Sequence, residues 1–316
     1  MPSDSLTEFH GLPTFDFSGA PGAQGLPPAD SVAWRVWVES YDAEIPWDKE
    51  FDRFAEAVDL SRVRALVVGA WSDAYESGPD EVVKALTGAR DRLASLRALF
   101  VGDMTFEECE ISWINQTQVA PLLRAFPALE EFGVRGGQEL GFDPVDHASL
   151  RALRIETGGL DGAVVRGIGA STLPALERLD LWLGVEDYGG TTTVADLAPF
   201  LSGERFPALR HLALHNSELQ DEIAVACASA PVVARLETLD LSMGTLGDTG
   251  AEALLAGRPL THLRRLDLSH HYISAALQER ITAELTGAGV EVDLDDDGAR
   301  EDAEGDEDFR YVAVAE

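Results

Sequence analysis

The chain has 316 residues, 45% apolar and 25% charged, and its 56 acidic against 24 basic residues leave a formal charge of −32. A surface this negative repels phosphate backbones and anionic headgroups, which excludes nucleic acid and membrane surfaces as expected partners and favours basic ones. Two cysteines, Cys109 and Cys227, are too few for a secreted disulfide framework. The first residues carry no basic, apolar leader, and no apolar run approaches the ~20 residues that cross a bilayer, so the expected compartment is the cytoplasm. Arginine, alanine and glycine abound beside just two lysines, Lys49 and Lys84, as in chains from GC-rich bacterial genomes.

From the N-terminus, residues 1–60 are expected to form a capping segment with an end strand, AWRVWVE from Ala33. A pattern L-x-x-L-x-L, with Val, Ile or Phe substituting, then recurs. It reads VRALVVG from Val63, LRALFVG from Leu96, LEEFGVR from Leu129, LRALRIE from Leu150, LERLDLW from Leu176, LRHLALH from Leu209, LETLDLS from Leu236 and LRRLDLS from Leu263. The starts are 33, 33, 21, 26, 33, 27 and 27 residues apart, and VEVDL from Val290 fits a last strand. Alternate leucines share one face of a short strand, because side chains alternate at period two. Between strands lie helix-length stretches such as TGAEALLAG after Asp248, with apolar residues three and four apart.

Strand and returning helix, repeated, predict an α/β solenoid over residues 61–294. Its parallel strands line a concave face and its helices the convex face, because strands pack ~4.8 Å apart while helices need ~10 Å. The unit from Leu236 to Ser274 resembles the ribonuclease-inhibitor-like subclass of leucine-rich repeats, in which each strand is paired with a full helix. The segments TEFHGLPTFDF near the start and ECEISWINQTQVAPLL from Glu108 are similar to parts of bacterial leucine-rich-repeat proteins of no assigned activity. The second stands where a linking helix is expected, and the simplest reading gives it a buried Trp113. The competing reading is a docking feature built around Trp113, Asn115, Gln116 and Gln118. The Asn or Cys that usually bonds the turn after each strand is replaced throughout, for instance by Trp71, Met104, Ser217 and His271, so other groups must satisfy that backbone.

The outward strand positions are the expected binding surface, since they have no packing duty. They read Arg178, Asp180 and Trp182, then His211, Ala213 and His215, then Thr238, Asp240 and Ser242, then Arg265, Asp267 and Ser269. Nearer the start the same positions, Ala65, Val67, Gly69, Ala98, Phe100 and Gly102, are more apolar, and Arg35, Trp37 and Glu39 mark the far end. An exposed Trp182 among charges has the make-up of an interface anchor. Asp240 and Asp267 on neighbouring strands form a like-charge pair that a cation or arginine would relieve. The partner-binding residues read from this pattern are Arg178, Asp180, Trp182, His211, His215, Asp240 and Asp267, and the expected partner is a basic protein or peptide.

No metal site is expected there. His211 and His215, four apart on a strand, are ~13 Å apart, too far to share an ion bound at ~2 Å. His270 and His271 follow a strand and read as turn-bonding groups. After Leu294, residues 295–308 read as a mobile, solvated acidic segment. Asp293, Asp295, Asp297, Gly298 and Glu304 match the spacing of a calcium loop, but Arg300 takes the usual apolar position, and ten acids in the sixteen residues from Asp293 make chance matches cheap. Residues 309–316, through Tyr311, Val312 and Val314, are expected to cap the end of the array. No nucleotide loop, zinc motif or nucleophile elbow is present, so neither catalysis nor a cofactor is expected. A protein-interaction scaffold is the first reading; an accessory subunit of an enzyme system, taking a small molecule or calcium through its acidic segments, is the second.

Overall fold

The computed structural model describes residues 4–17, 25–296, 299 and 310–316. They fall into two compact units, Met1–Glu156 with Ser171–Leu173 and Glu316, and Thr157–Ala170 with Pro174–Ala315.

The first unit opens with an antiparallel hairpin, β1 (Glu8–Phe9) and β2 (Leu12–Phe17). His10 and Gly11 turn it with φ of 54° and 69°, the left-handed pair that a two-residue hairpin needs. Then follow β3 (Ala33–Val36), α1 (Trp47–Ala57), β4 (Ala65–Val68), α2 (Asp80–Gly88), β5 (Ala98–Val101), α3 (Ala120–Ala125), β6 (Glu131–Arg135) and β7 (Ala152–Glu156). From β2 to β7 each strand pairs in parallel with the next. Trp34, Leu66, Leu99, Phe132 and Leu153 stand in register, all buried, and form the inner column of the core. Burying side chains of this size contributes about 1.5–3 kcal/mol each.

The second unit contains α4 (Gly162–Ala170), β8 (Arg178–Gly184), α5 (Ala198–Leu201), β9 (His211–Ser217), α6 (Gln220–Ser229), β10 (Thr238–Asp240), α7 (Asp248–Ala256), β11 (Arg265–Asp267), α8 (Ala275–Leu285) and β12 (Glu291–Asp293). Its strands β8 to β12 are again consecutive parallel neighbours, with Leu179, Leu212, Leu239 and Leu266 in one buried column. Every strand expected from the repeat pattern is present, as β3 to β12.

Long polar side chains replace the missing turn asparagines. The Gln116 amide donates to the Arg135 carbonyl (2.7 Å) and the Gln220 amide to the Leu214 carbonyl (2.8 Å). His271 uses both ring nitrogens, Nε2 toward the Leu294 carbonyl (3.1 Å) and Nδ1 accepting from the Ile273 amide (3.1 Å). These bonds keep buried turn backbone from being left unpaired.

The segment from Glu108 is not a linking helix. It has one 3-10 turn at Ile111–Trp113 before α3, and Trp113 is 55% exposed rather than buried. Further on, residues 297, 298 and 300–309 lie outside the described residues, and with them fall Asp297, Gly298 and Glu304 of the calcium-loop pattern and most of the acidic segment. Residues 310–315 pack within the second unit. The Asn216 side chain donates to the Val314 carbonyl (2.6 Å) and accepts from its amide (3.0 Å), while the Met243 carbonyl accepts from Ala313 (2.8 Å). Tyr311 sits at His270 and Tyr272, and Val312 and Val314 are buried.

Candidate functional site

Register places the outward residues of the second unit in three rows across its strands. Arg178, His211, Thr238, Arg265 and Glu291 make the first row; Asp180, Ala213, Asp240, Asp267 and Asp293 make the second. Trp182 and His215 pair in the third, beside Ser242. The partner-binding residues expected from sequence are therefore brought together on one face, with the carboxylates concentrated in its middle row.

His215 is the hub. Its Nε2 lies 2.8 Å from Asp180 Oδ1, and its Nδ1 lies 3.3 Å from Ser242 Oγ and 3.5 Å from Asp240 Oδ1. Ser242 Oγ donates onward to Asp240 (2.6 Å), so both edges of the ring face acceptors. Burial raises the Asp240 carboxyl above the usual carboxylate range; the neighbouring Asp267 adds to this and His215 opposes it. Asp267 behaves differently. Burial pushes it up, but hydrogen bonds from Arg265 (2.8 Å) and from Ser269 (2.7 Å) outweigh that and hold it below the ordinary value. Arg265 also grips Glu291 (2.6 Å) and Asp293 (3.0 Å), so one half-exposed guanidinium serves three carboxylates. His211, bonded to Thr238 (2.8 Å), is lowered by burial and then by Arg178, and Arg178 itself is exposed.

Trp182 does not stand out as an exposed anchor. It is 7% exposed, with its ring edge-on to His215 (5.6 Å, 84°), and its indole N–H has no hydrogen-bond partner among the described residues. The ring lies down beside the imidazole because that buries its apolar surface, and a near-perpendicular aromatic contact is favourable. His211 and His215 hold separate partners, and among the described residues no group of three or more His, Cys, Asp or Glu is placed to hold a metal.

The outward face of the first unit is not free. Ala33, Ala65 and Ala98 align across three strands, and their small side chains leave a trough that Phe9 fills, edge-on to Phe100 at 5.9 Å, with Leu6 and Leu12 beside it. Gly133, opposite Phe100, has to lack a side chain, because a Cβ there would overlap the Phe100 ring. Beyond the trough is a buried ion network that sequence reasoning missed. Arg35, outward on β3, bonds Asp103 (2.9 Å) and Asp16 (3.2 Å), while Arg135 bonds Glu156 (2.7 Å) and lies 3.7 Å from Asp103. Burial works against the Arg35 charge, but Asp103 and Glu108 outweigh it and hold the guanidinium above its ordinary value. The Leu6 amide also donates to Asp103 (3.0 Å), so the N-terminal strap seals the network. The available signal was the His10-Gly11 dipeptide between two short alternating runs.

A solved structure of a protein from Bacteroides fragilis is similar, with a TM-score of 0.74 and 30% sequence identity over 80% of this chain and 70% of that one. The chain's consecutive parallel strands and the helices between them have the fold of leucine-rich-repeat proteins. The chain is also 30% identical over 227 residues to the monocyte differentiation antigen CD14 of Bos taurus, a match covering 69% of the chain and 54% of the antigen. It thus spans about half the length of the curated relative it matches. No family model matches the chain. No helix among the described residues is long and apolar enough to cross a membrane.

Proposed function

We propose that this leucine-rich-repeat protein is an interaction scaffold that takes a basic segment of a protein or peptide on the outward face of its second unit. The observation that carries this reading is the aspartate row, Asp180, Asp240, Asp267 and Asp293, held in register with a single interposed Ala213. An incoming arginine or lysine relieves the Asp240–Asp267 repulsion and replaces water around carboxylates that are already oriented by Ser242 and Ser269. The rim is supplied by Arg178 and His211, while Trp182 and His215 stiffen the floor. A charge of −32 steers basic partners in and nucleic acid away.

We also assign the array to the ribonuclease-inhibitor-like subclass, which the pairing of β9, β10 and β11 with full helices α6, α7 and α8 supports. A bacterial cytoplasm fits two free cysteines, both buried.

The test is fluorescence anisotropy of a labelled arginine-rich nonapeptide against the intact protein and Asp240→Ser/Asp267→Ser, at low and physiological salt. The expected result is roughly tenfold weaker binding by the variant, equivalent to about 1.4 kcal/mol, and a weaker salt dependence. Equal affinity for both proteins overturns the reading. Trp182 is left out of the variant because its burial makes it a packing residue.

A further inference from the structure

The exposed large hydrophobic residues among the described residues are Tyr41 (55%), Tyr75 (40%), Phe106 (51%), Trp113 (55%) and Val225 (46%). All four aromatic ones fall in the loops that follow β3, β4 and β5, three consecutive strands of the first unit. Tyr41 and Tyr75 are in ring contact at 5.5 Å. The loop bearing Trp113 is fastened to the loop bearing Tyr75, because the Asn115 amide and side chain both donate to the Ala74 carbonyl (2.8 and 3.2 Å). Gln116 holds the Arg135 carbonyl, and Gln118 accepts from the Asp143 amide (2.9 Å). The polar residues of this segment thus pin its backbone, while the tryptophan side chain is left facing water. A rigidly presented aromatic loses little freedom on binding, which is what an interface anchor requires.

The same loops carry Asp42, Glu44, Asp73, Glu76, Glu107 and Glu110, with no lysine or arginine among residues 37–46, 69–79 and 102–119. None of those six carboxylates is ion-paired among the described residues, unlike Glu108, which is spent on Arg35. Asp42 and Asp73 take φ of 51° and 58°, so the backbone beside the two tyrosines is held in a conformation that non-glycine residues rarely adopt. The Tyr75 hydroxyl is raised by Glu76 first, then by slight burial and by Asp73, Tyr41 and Asp42.

Aromatic faces ringed by unpaired carboxylates suit one chemistry. We propose that the loops after β3, β4 and β5 form a second docking surface, for an arginine-bearing peptide segment whose guanidinium groups lie on Tyr41, Tyr75 and Trp113 and whose charge is met by Asp42, Asp73 and Glu76. Guanidinium is planar, weakly hydrated and stacks on rings, so arginine is preferred over lysine at equal charge. This surface lies in the first unit and does not depend on the aspartate row of the second.

The experiment uses the full chain carrying Asp240→Ser/Asp267→Ser, so that the sheet-face site is silenced whatever its worth. Into that background go Tyr75→Ala/Trp113→Ala and, as a control at the other exposed hydrophobic position, Val225→Ala. Circular dichroism and urea midpoints confirm that the variants are folded. Labelled peptides of alternating Gly-Arg and Gly-Lys, equal in length and charge, are titrated by anisotropy. The expected result is Gly-Arg binding several-fold tighter than Gly-Lys, at least tenfold loss in Tyr75→Ala/Trp113→Ala, and no change in Val225→Ala. Equal affinity for the two peptides, or binding that survives removal of both aromatics, overturns the proposal. Failure of the sheet-face reading shows separately, as no difference between the background and the unmodified protein.

Discussion

Replacing Phe9 by alanine tests how the outward face of the first unit is closed. The ring is 7% exposed and fills the trough over Ala33, Ala65 and Ala98 against Phe100. Truncating a buried phenylalanine typically costs 3–5 kcal/mol. Here the strap can also lift, so the loss is bounded by what the strap contributes: the ring, Leu6 and Leu12, the Leu6–Asp103 bond, and the partly buried His10–Glu131 contact at 3.1 Å. A loss of about 3 kcal/mol is expected, read as a lower urea midpoint for the first unit. Amide exchange should accelerate at Leu6 and at Thr14, whose amide bonds the Thr7 carbonyl. Ala65→Leu should destabilise by about 1–3 kcal/mol from the opposite direction, since it overfills the trough that Phe9 occupies. If Phe9→Ala loses less than about 1 kcal/mol and leaves the Leu6 amide protected, Phe9 does not seal the face and the account given of that face is wrong.

In the second unit, Asn216→Ala should release the C-terminal segment. It removes both bonds to Val314 and puts alanine at φ 53°, together about 2–3 kcal/mol, seen as fast exchange at Val314; Asn216→Gly, free of the strain, should lose less. The pH dependence of stability should carry two opposed contributions. Asp240, raised by burial, binds its proton more tightly folded than unfolded, so its contribution falls as pH rises from 3.8 through its folded value, and Asp240→Asn abolishes that slope. Asp267, lowered in the folded state, contributes stability above 3.8 that is lost as pH drops through its folded value, and Arg265→Met should shrink that acid loss. Both thiols should resist an aromatic disulfide reagent at pH 8. Cys109 is pushed up to about 11 by burial and by Glu110, and Cys227 to about 12 by burial, so reaction should appear only as the protein unfolds; prompt labelling of native Cys227 would contradict its placement.

The repeat strands could be read directly, because alternating leucines at near-constant spacing have few structural solutions, and the same alternation identified the outward residues. What alternation cannot show is what lies on top of an outward residue. Val67 and Phe100 point outward yet are buried, since the cover comes from residues 6–12, far off in sequence. Trp182 fails as an anchor for a related reason: direction along the strand is set by parity, whereas the angle at which a large ring lies down depends on His215 of the next strand. Trp113 went the other way. Its segment has the composition of a buried helix start, and only the tertiary bonds of Asn115, Gln116 and Gln118 show that the backbone is spent elsewhere.

The strap has a kinetic consequence. In a stack of repeats each element touches its neighbours, so such arrays can zip and fray one repeat at a time. Leu6 bonding Asp103 and His10 meeting Glu131 tie residues separated by 97 and 121 positions, contacts whose loop-closure entropy must be met before they stabilise anything. The hairpin should therefore settle after β3 to β6 have stacked, as a slow closing phase. Once down, it joins those strands into a block that opens as one, and the end of the array loses its freedom to peel away.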